Sequence, residues 1–400
     1  MIAKTLRAYR KSFSGLSRDI WLLAFITLIN RSGSMVMPFL SVYITTKLGH
    51  SLQEAGYVMA AFGCGSLLGA FLGGKITDKL GFFPVMFGSL FFGGIMFIGM
   101  MLMNTLWKLI PYTFLLSAVY DMFRPANLVS ISAYSNPDNR TRSMALVRLA
   151  INLGFSVGPA IGGFLAFNVG YKSLFIADGI TCILAALCLL WFLKPARKND
   201  ETKHVILNKQ GLPPWRNIQF LRFILFVMTN AIVFMQIFST LPVYFKQELK
   251  LTESSIGLLM GLNGILVALL EMPLIYATEN KQSKLKMITA GALLMSLSYP
   301  GFLIAPKEQF MATVSILFLS FGEMFSFPFC NTVAMDESPE GRQGEYMGWY
   351  SMSFSLGFIL APLIGLGVAD KLGFQSLWYF ITLVGLITSY GFRKSSRPTV

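Results

Sequence analysis

Charged side chains are scarce in the long apolar stretches of this sequence, and the few present are the residues with chemistry to offer. Arg31 in INRSGSMVMPF, Asp121 and Arg124 in YDMFRPAN, Arg148 in VRLAIN, Glu271 in LLEMPL and Glu323 in FGEMFSF stand among aliphatic, aromatic and small residues. Guanidinium groups in such surroundings bind anions, and carboxylates take up and release protons. The only histidines, His50 and His204, lie outside these stretches, so a proton carried within them must ride on a carboxylate. Apolar surroundings disfavour the charged form of a carboxylate, whereas a nearby guanidinium favours it. Glu323 has no basic residue in its own stretch and is the leading proton-exchange candidate, with Asp121 and Glu271 behind it.

Each residue also has a plain structural reading. Asp121 with Arg31 or Arg124 can form a static ion pair that orients helices. Arg148, one turn before Asn152, suits interhelical packing and hydrogen bonding. Glu271 precedes Pro273 and can serve as a helix-terminus residue; Asp178 in FIADG reads as packing near an interface. The cysteines, Cys64, Cys182, Cys188 and Cys330, all fall in apolar stretches, with neither a disulfide framework nor metal-ligand spacing. No metal site is expected.

The elements that hold these residues follow from composition. Hydrophobic residues are 54% of the 400 and charged residues 13%, against roughly 25% charged in soluble domains; mean hydropathy is +0.61. Runs of about 20 apolar residues, enough to cross a hydrocarbon core of about 30 Å, recur along the chain. They fall near 20–42, 53–74, 84–103, 107–131, 144–168 and 172–193, then near 219–244, 256–277, 286–305, 309–332, 345–368 and 374–393. The expected fold class is an all-α membrane protein of twelve spans, embedded in a lipid bilayer. Most of the 33 Lys and Arg fall in the N-terminus, the hairpins after even-numbered spans and the C-terminus. The positive-inside rule therefore puts both termini in the cytoplasm. The net charge of +14 is a topology signal spread over short loops and gives no case for nucleic-acid binding. No cleavable signal peptide is expected, because the first apolar run is already of span length.

The chain repeats itself. The polar stretch 194–218 separates a six-span half, 1–193, from a second, 219–400. At an offset of 201 to 203 residues, Asp121 falls on Glu323, Pro137 on Pro339 and Arg140 on Arg342, while GYKSLF from Gly170 meets GFQSLW from Gly373. The stretch NLGFSVGPAIGG, Asn152 to Gly163, meets GFILAPLIG, Gly357 to Gly365. Gly154, Gly158 and Gly162 recur every four residues, so they share one helix face and let another backbone come close; Pro159 bends the helix between them. Two repeated halves imply a binding site near the bilayer midplane.

On these residues the chain resembles the major facilitator superfamily over nearly its full length, and more narrowly its drug:proton antiporter branch. The fifth span carries that branch's antiporter pattern in Gly154, Gly158, Pro159, Gly162 and Gly163. A second family motif, in GSLLGAFLGGKITDKLG, supplies Gly65, Gly74, Asp78, Lys79 and Gly81. Gly74 is expected to allow close helix contact, Gly81 a tight turn and Asp78 a helix cap or a basic partner. The resemblance implies a cytoplasmic latch. Phe82 and Phe83 stand where basic residues usually follow, which weakens a charge-linked latch, and the second-half copy is degenerate, with Ile275, Glu279 and Gln282. It also implies that spans 1, 4, 7 and 10 line a cavity, turning Arg31, Asp121, Arg124, Gln236 and Glu323 toward substrate. Phe123, Phe325, Phe327 and Tyr244 would add an adaptable apolar surface.

No nucleophile–base arrangement or phosphate-cradling loop is evident, so neither an enzyme nor an ATP-driven pump is expected. The leading expectation is a monomeric secondary transporter of the bacterial inner membrane that exports small apolar or amphipathic compounds against protons. It needs no cofactor beyond the proton gradient. The alternatives are a symporter or uniporter for an anionic metabolite held by Arg31 and Arg124, and a non-transporting receptor or scaffold.

Overall fold

The computed structural model describes residues 15–135, 140–193, 211–278, 282–305, 309–339 and 343–395. Regular structure among them is helical: α1 (Arg18–Ser32), α2 (Val36–Thr46), α3 (Leu52–Leu80), α4 (Phe82–Met100), α5 (Leu106–Tyr120), α6 (Phe123–Tyr134), α7 (Arg140–Asn168) and α8 (Lys172–Phe192). After a 3-10 turn at Pro214–Arg216 come α9 (Ile218–Gln247), α10 (Glu253–Thr278), α11 (Lys284–Leu297), α12 (Gly301–Ile304), α13 (Phe310–Asp336) and α14 (Gln343–Ser395). In hydrocarbon a backbone must satisfy its own polar groups, and apolar runs of this length do so as helices. Ten segments among the described residues are long and apolar enough to cross a membrane. The last, Tyr346–Lys394, has 49 residues and is interrupted at Gly373, whose φ of +79° favours glycine. At 1.5 Å per residue that length provides two crossings of a core of about 30 Å.

Two spans expected to be continuous are broken, for one shared reason. The 20–42 span divides into α1 and α2 at Gly33–Met35, and the 107–131 span into α5 and α6 at Asp121–Met122. Pro38 and Pro125 stand four residues after Ser34 and Asp121. A proline has no N–H to bond the carbonyl four residues back, and its ring collides with it, so the helix restarts with proline in its first turn.

The chain forms two compact units. The first contains Met1–Val36 with Cys64–Lys198, the second Met37–Gly63 with Asn199–Val400. The segment Met37–Gly63 precedes the linker in sequence yet packs in the second unit. There Ser41 Oγ donates to the Ser239 carbonyl at 2.8 Å, Leu52 N–H donates to Asp370 at 3.1 Å, and Gly56 lets α3 approach the Pro362 carbonyl. The first unit's core gathers Ile20, Leu23, Met86, Leu90, Phe123 and Leu189; the second's gathers Phe220, Ile288, Phe329, Tyr346 and Phe392. Side-chain caps fix two helix starts: Ser17 Oγ accepts from Ile20 N, and Asn217 Oδ1 from Phe220 N.

Candidate functional site

In the first unit the break between α1 and α2 organises the polar residues. Interrupting a helix inside an apolar span frees N–H groups that water cannot reach. Asp178, on α8, meets that need: its two carboxylate oxygens accept from Met35 N and Val36 N, each at 3.0 Å. Its burial, 2% exposed, reflects this capping role at the start of α2, where a negative charge also suits the helix dipole. Sequence reading missed it and assigned packing near an interface. A glycine-serine break followed by proline, opposite a lone aspartate in another span, is the signal that points to it.

Arg31 occupies the last turn of α1, on the other side of the break. It is 8% exposed, and its Nε is buried with no hydrogen-bond partner among the described residues. The guanidinium lies 5.4 Å from the Phe155 ring centroid and 6.0 Å from that of Tyr120, within cation–π range. Of the two pairings open for Asp121, the structure has Arg124, at 3.2 Å, bridging the break between α5 and α6. Asp121 is buried while the Arg124 side chain is 53% exposed. Tyr120 donates to Asn30 Oδ1 at 3.4 Å, and the Asn30 amide reaches Cys182 Sγ at 3.5 Å.

Gly154, Gly158 and Gly162 on α7 pack against this break. A Cβ at Gly154 would collide with Arg31 Cβ and lie 2.8 Å from the Arg31 carbonyl carbon. One at Gly158 would lie 3.1 Å from the Ser32 carbonyl oxygen, and one at Gly162 2.9 Å from Met35 Cβ. The seam thus holds the broken segment that presents Arg31. The opposite face of α7 exposes Leu153, Val157, Ile161 and Phe164, as a lipid-facing side does.

The second unit repeats the seam. Gly357 packs on Ala231 of α9, and Gly365 leaves the space that Gln236 fills. Gln236 is fully buried: its amide donates to the Ile232 and Ala361 carbonyls at 3.2 Å, and its Oε1 accepts from Thr240 at 2.6 Å. These bonds tie α9 to α14, and the expected place of Gln236 on a substrate surface is corrected accordingly. Tyr244 is corrected too: its ring is buried against Phe302, Phe374 and Trp378. Glu323, on α13, is half-buried and accepts from the Asn263 amide of α10 at 3.2 Å; the same amide reaches Ser320 at 3.0 Å. Asn263 and Ser320 were not foreseen. Glu271 is buried further along α10, Phe325 and Phe327 keep partial exposure, and Phe123 is enclosed in the first unit's core.

Two seams of the same residues, α1–α7 and α9–α14, recur 203 positions apart at Gly154 and Gly357 and at Gly162 and Gly365. The family model of the Major Facilitator Superfamily matches residues 20–352 and 223–399. The chain belongs to the Major Facilitator Superfamily. Its relatives include the MFS-type transporter YqjV of Bacillus subtilis, 24% identical over 93% of this chain and 91% of its own. A Na(+), Li(+), K(+)/H(+) antiporter of Planococcus maritimus is 24% identical, covering 91% and 92%, and the multidrug resistance protein MdtH of Aeromonas hydrophila 26%, covering 92% and 93%. A solved POT family transporter in complex with a thioalcohol-conjugated peptide shares the fold, with a TM-score of 0.82 at 15% identity over 97% of this chain and 98% of that one. The protein is thus an integral membrane transporter of the superfamily and not an enzyme.

The remaining superfamily motif residues fall on α3, α4 and α7. Gly65, Gly69 and Gly73 of α3 abut Phe114, Ala118 and Met122 of the broken fourth span, whereas Gly74 has no close neighbour among the described residues. The close contact expected of Gly74 is therefore made by its three companions, whose four-residue spacing keeps them on one face. Gly81 adopts φ +85° between α3 and α4, Lys79 is exposed, and the Asp78 side chain, Glu279, Pro137, the Arg140 and Arg342 side chains, and residues 194–210 lie outside the described residues. On α7, Arg148 is exposed, Asn152 half-buried, and Pro159 and Gly163 buried.

Proposed function

We propose that this chain is a proton-coupled exporter of small apolar or amphipathic compounds, working by alternating access through twelve crossings with both termini cytoplasmic. The observation that carries the proposal is the contrast between two carboxylates at matching places in the repeat. Asp121 is tied to the Arg124 guanidinium at 3.2 Å, across the break in its own span. Glu323 accepts from the neutral amide of Asn263 at 3.2 Å, a bond compatible with either protonation state. On this reading Glu323 is the group that takes up and releases the proton, while Asp121 stays with Arg124. The relatives named as a cation/H+ antiporter and a multidrug resistance protein support exchange and export as a class.

The proton gradient supplies the energy and no bound cofactor takes part. The test is efflux from proteoliposomes holding the purified chain, with lipophilic cations, neutral drugs and organic anions offered in turn. Export should rise with an imposed pH gradient and stop when a protonophore collapses it. Export that continues unchanged after collapse contradicts proton coupling.

A further inference from the structure

Arg31 carries a charge that no ion pair among the described residues answers. A guanidinium cannot shed its proton in a protein, and a cation buried in a membrane span is costly unless it is paired. Arg31 is 8% exposed, makes no ion pair among the described residues, and keeps a buried Nε without a hydrogen bond. The nearby carboxylates are committed elsewhere: Asp121 to Arg124, Asp178 to the two N–H groups at the start of α2. Asp178 also fills the place at a half-helix N-terminus where a substrate anion could otherwise sit. What the broken span still offers is its cation.

The rings of Phe155 and Tyr120, at 5.4 and 6.0 Å, flank the guanidinium without neutralising it. They add an apolar wall beside the charge. We propose that Arg31 anchors the anionic head group of the transported compound, and that the compounds it selects are organic monoanions, above all carboxylates, with an aromatic or broad apolar body. Arg31 is the cation at this break that forms no ion pair among the described residues, so it can pair one anionic head group. A dianion or a phosphate monoester would bring a second negative charge with no partner, because Arg124 already serves Asp121. This inference narrows the substrate class of the exporter proposed above and rests on that reading.

Equilibrium binding to the purified full chain in lipid nanodiscs tests it, with four probes that share one ring system: 1-naphthoate, 1-naphthamide, 1-naphthylmethylammonium and 1-naphthyl phosphate. Naphthoate should bind at least about tenfold more tightly than each of the others, the least expected of a hydrogen bond to a charged group. Arg31→Gln should erase the preference over the amide, and Arg31→Lys should keep part of it. Phe155→Leu leaves the charge in place, so it should weaken naphthoate and naphthamide alike and preserve their ratio. Parent protein that fails to bind naphthoate, or that binds the amide, ammonium or phosphate as tightly, overturns the proposal without recourse to any variant. An unchanged ratio in Arg31→Gln overturns it as well. Binding needs no gradient, so a chain that prefers the monoanion yet moves no protons would lose the exporter reading and keep this one.

Discussion

At Asp178 a single carboxylate accepts from Met35 N–H and Val36 N–H where the first span is broken, and Met35 N–H is shared with the Gly33 carbonyl at 2.8 Å. Replacing it with alanine strands Val36 N–H in a dry setting, at about 1 to 3 kcal/mol, and leaves Met35 N–H to the Gly33 carbonyl alone. Asp178→Ala should therefore lower the stability of the purified protein by about 1 to 3 kcal/mol, seen as a clear drop in its melting temperature in detergent. Asp178→Asn keeps one acceptor and should lose about half as much. A melting temperature equal to the parent's in Asp178→Ala would mean that the cap is unnecessary. Asp121 calls for a milder expectation. Breaking a fully buried pair costs about 3 to 5 kcal/mol, but the Arg124 side chain is 53% exposed and water can reclaim it. Asp121→Asn should cost less than about 3 kcal/mol, and the double change with Arg124→Gln should recover part of that loss in the same melting assay.

At the scale of helices, the α1–α7 seam ranks its glycines by the space each leaves. A Cβ at Gly154 meets Arg31 side chain and backbone at once, whereas one at Gly158 meets carbonyl oxygens at 3.1 to 3.4 Å. Gly158→Ala should fold and transport close to the parent, Gly154→Ala should lose stability and shift Arg31, and leucine at either position should force the helices apart. Size-exclusion profiles after heating, read beside transport, check that order; equal behaviour of the two alanine variants would contradict it. The seam was legible in the sequence because glycine spacing is a local pattern with one helical period. The breaks were less so: Pro38 and Pro125 are plain in the text, but proline in a span can bend a helix or end it, and the outcome depends on what receives the freed N–H groups. For the first span that receiver is Asp178, more than 140 residues away, which no local pattern reveals. Gln236 and Tyr244 were misplaced for a related reason. A cavity face and a buried packing face have the same composition, and only Gly365 and Trp378, supplied by another helix, separate the two.

At the scale of the whole molecule, the duplicated sequence has become two units built on the same seam but with unlike charges. The first holds Arg31, Asp178 and the Asp121–Arg124 pair beside its breaks; the second holds Gln236 and the Glu323–Asn263 contact. On the proposed reading, the first unit handles an anchored head group and the second a proton. Proton movement driven by substrate is the most direct readout of this division. In everted membrane vesicles acidified inside and followed with a pH-sensitive dye, adding a transported compound should release protons and recover the fluorescence in vesicles bearing the parent chain. Vesicles with equal amounts of Glu323→Gln should show no recovery with the same compound. Recovery of equal size in Glu323→Gln, or none in the parent with any lipophilic cation, neutral drug or organic anion, would contradict the account.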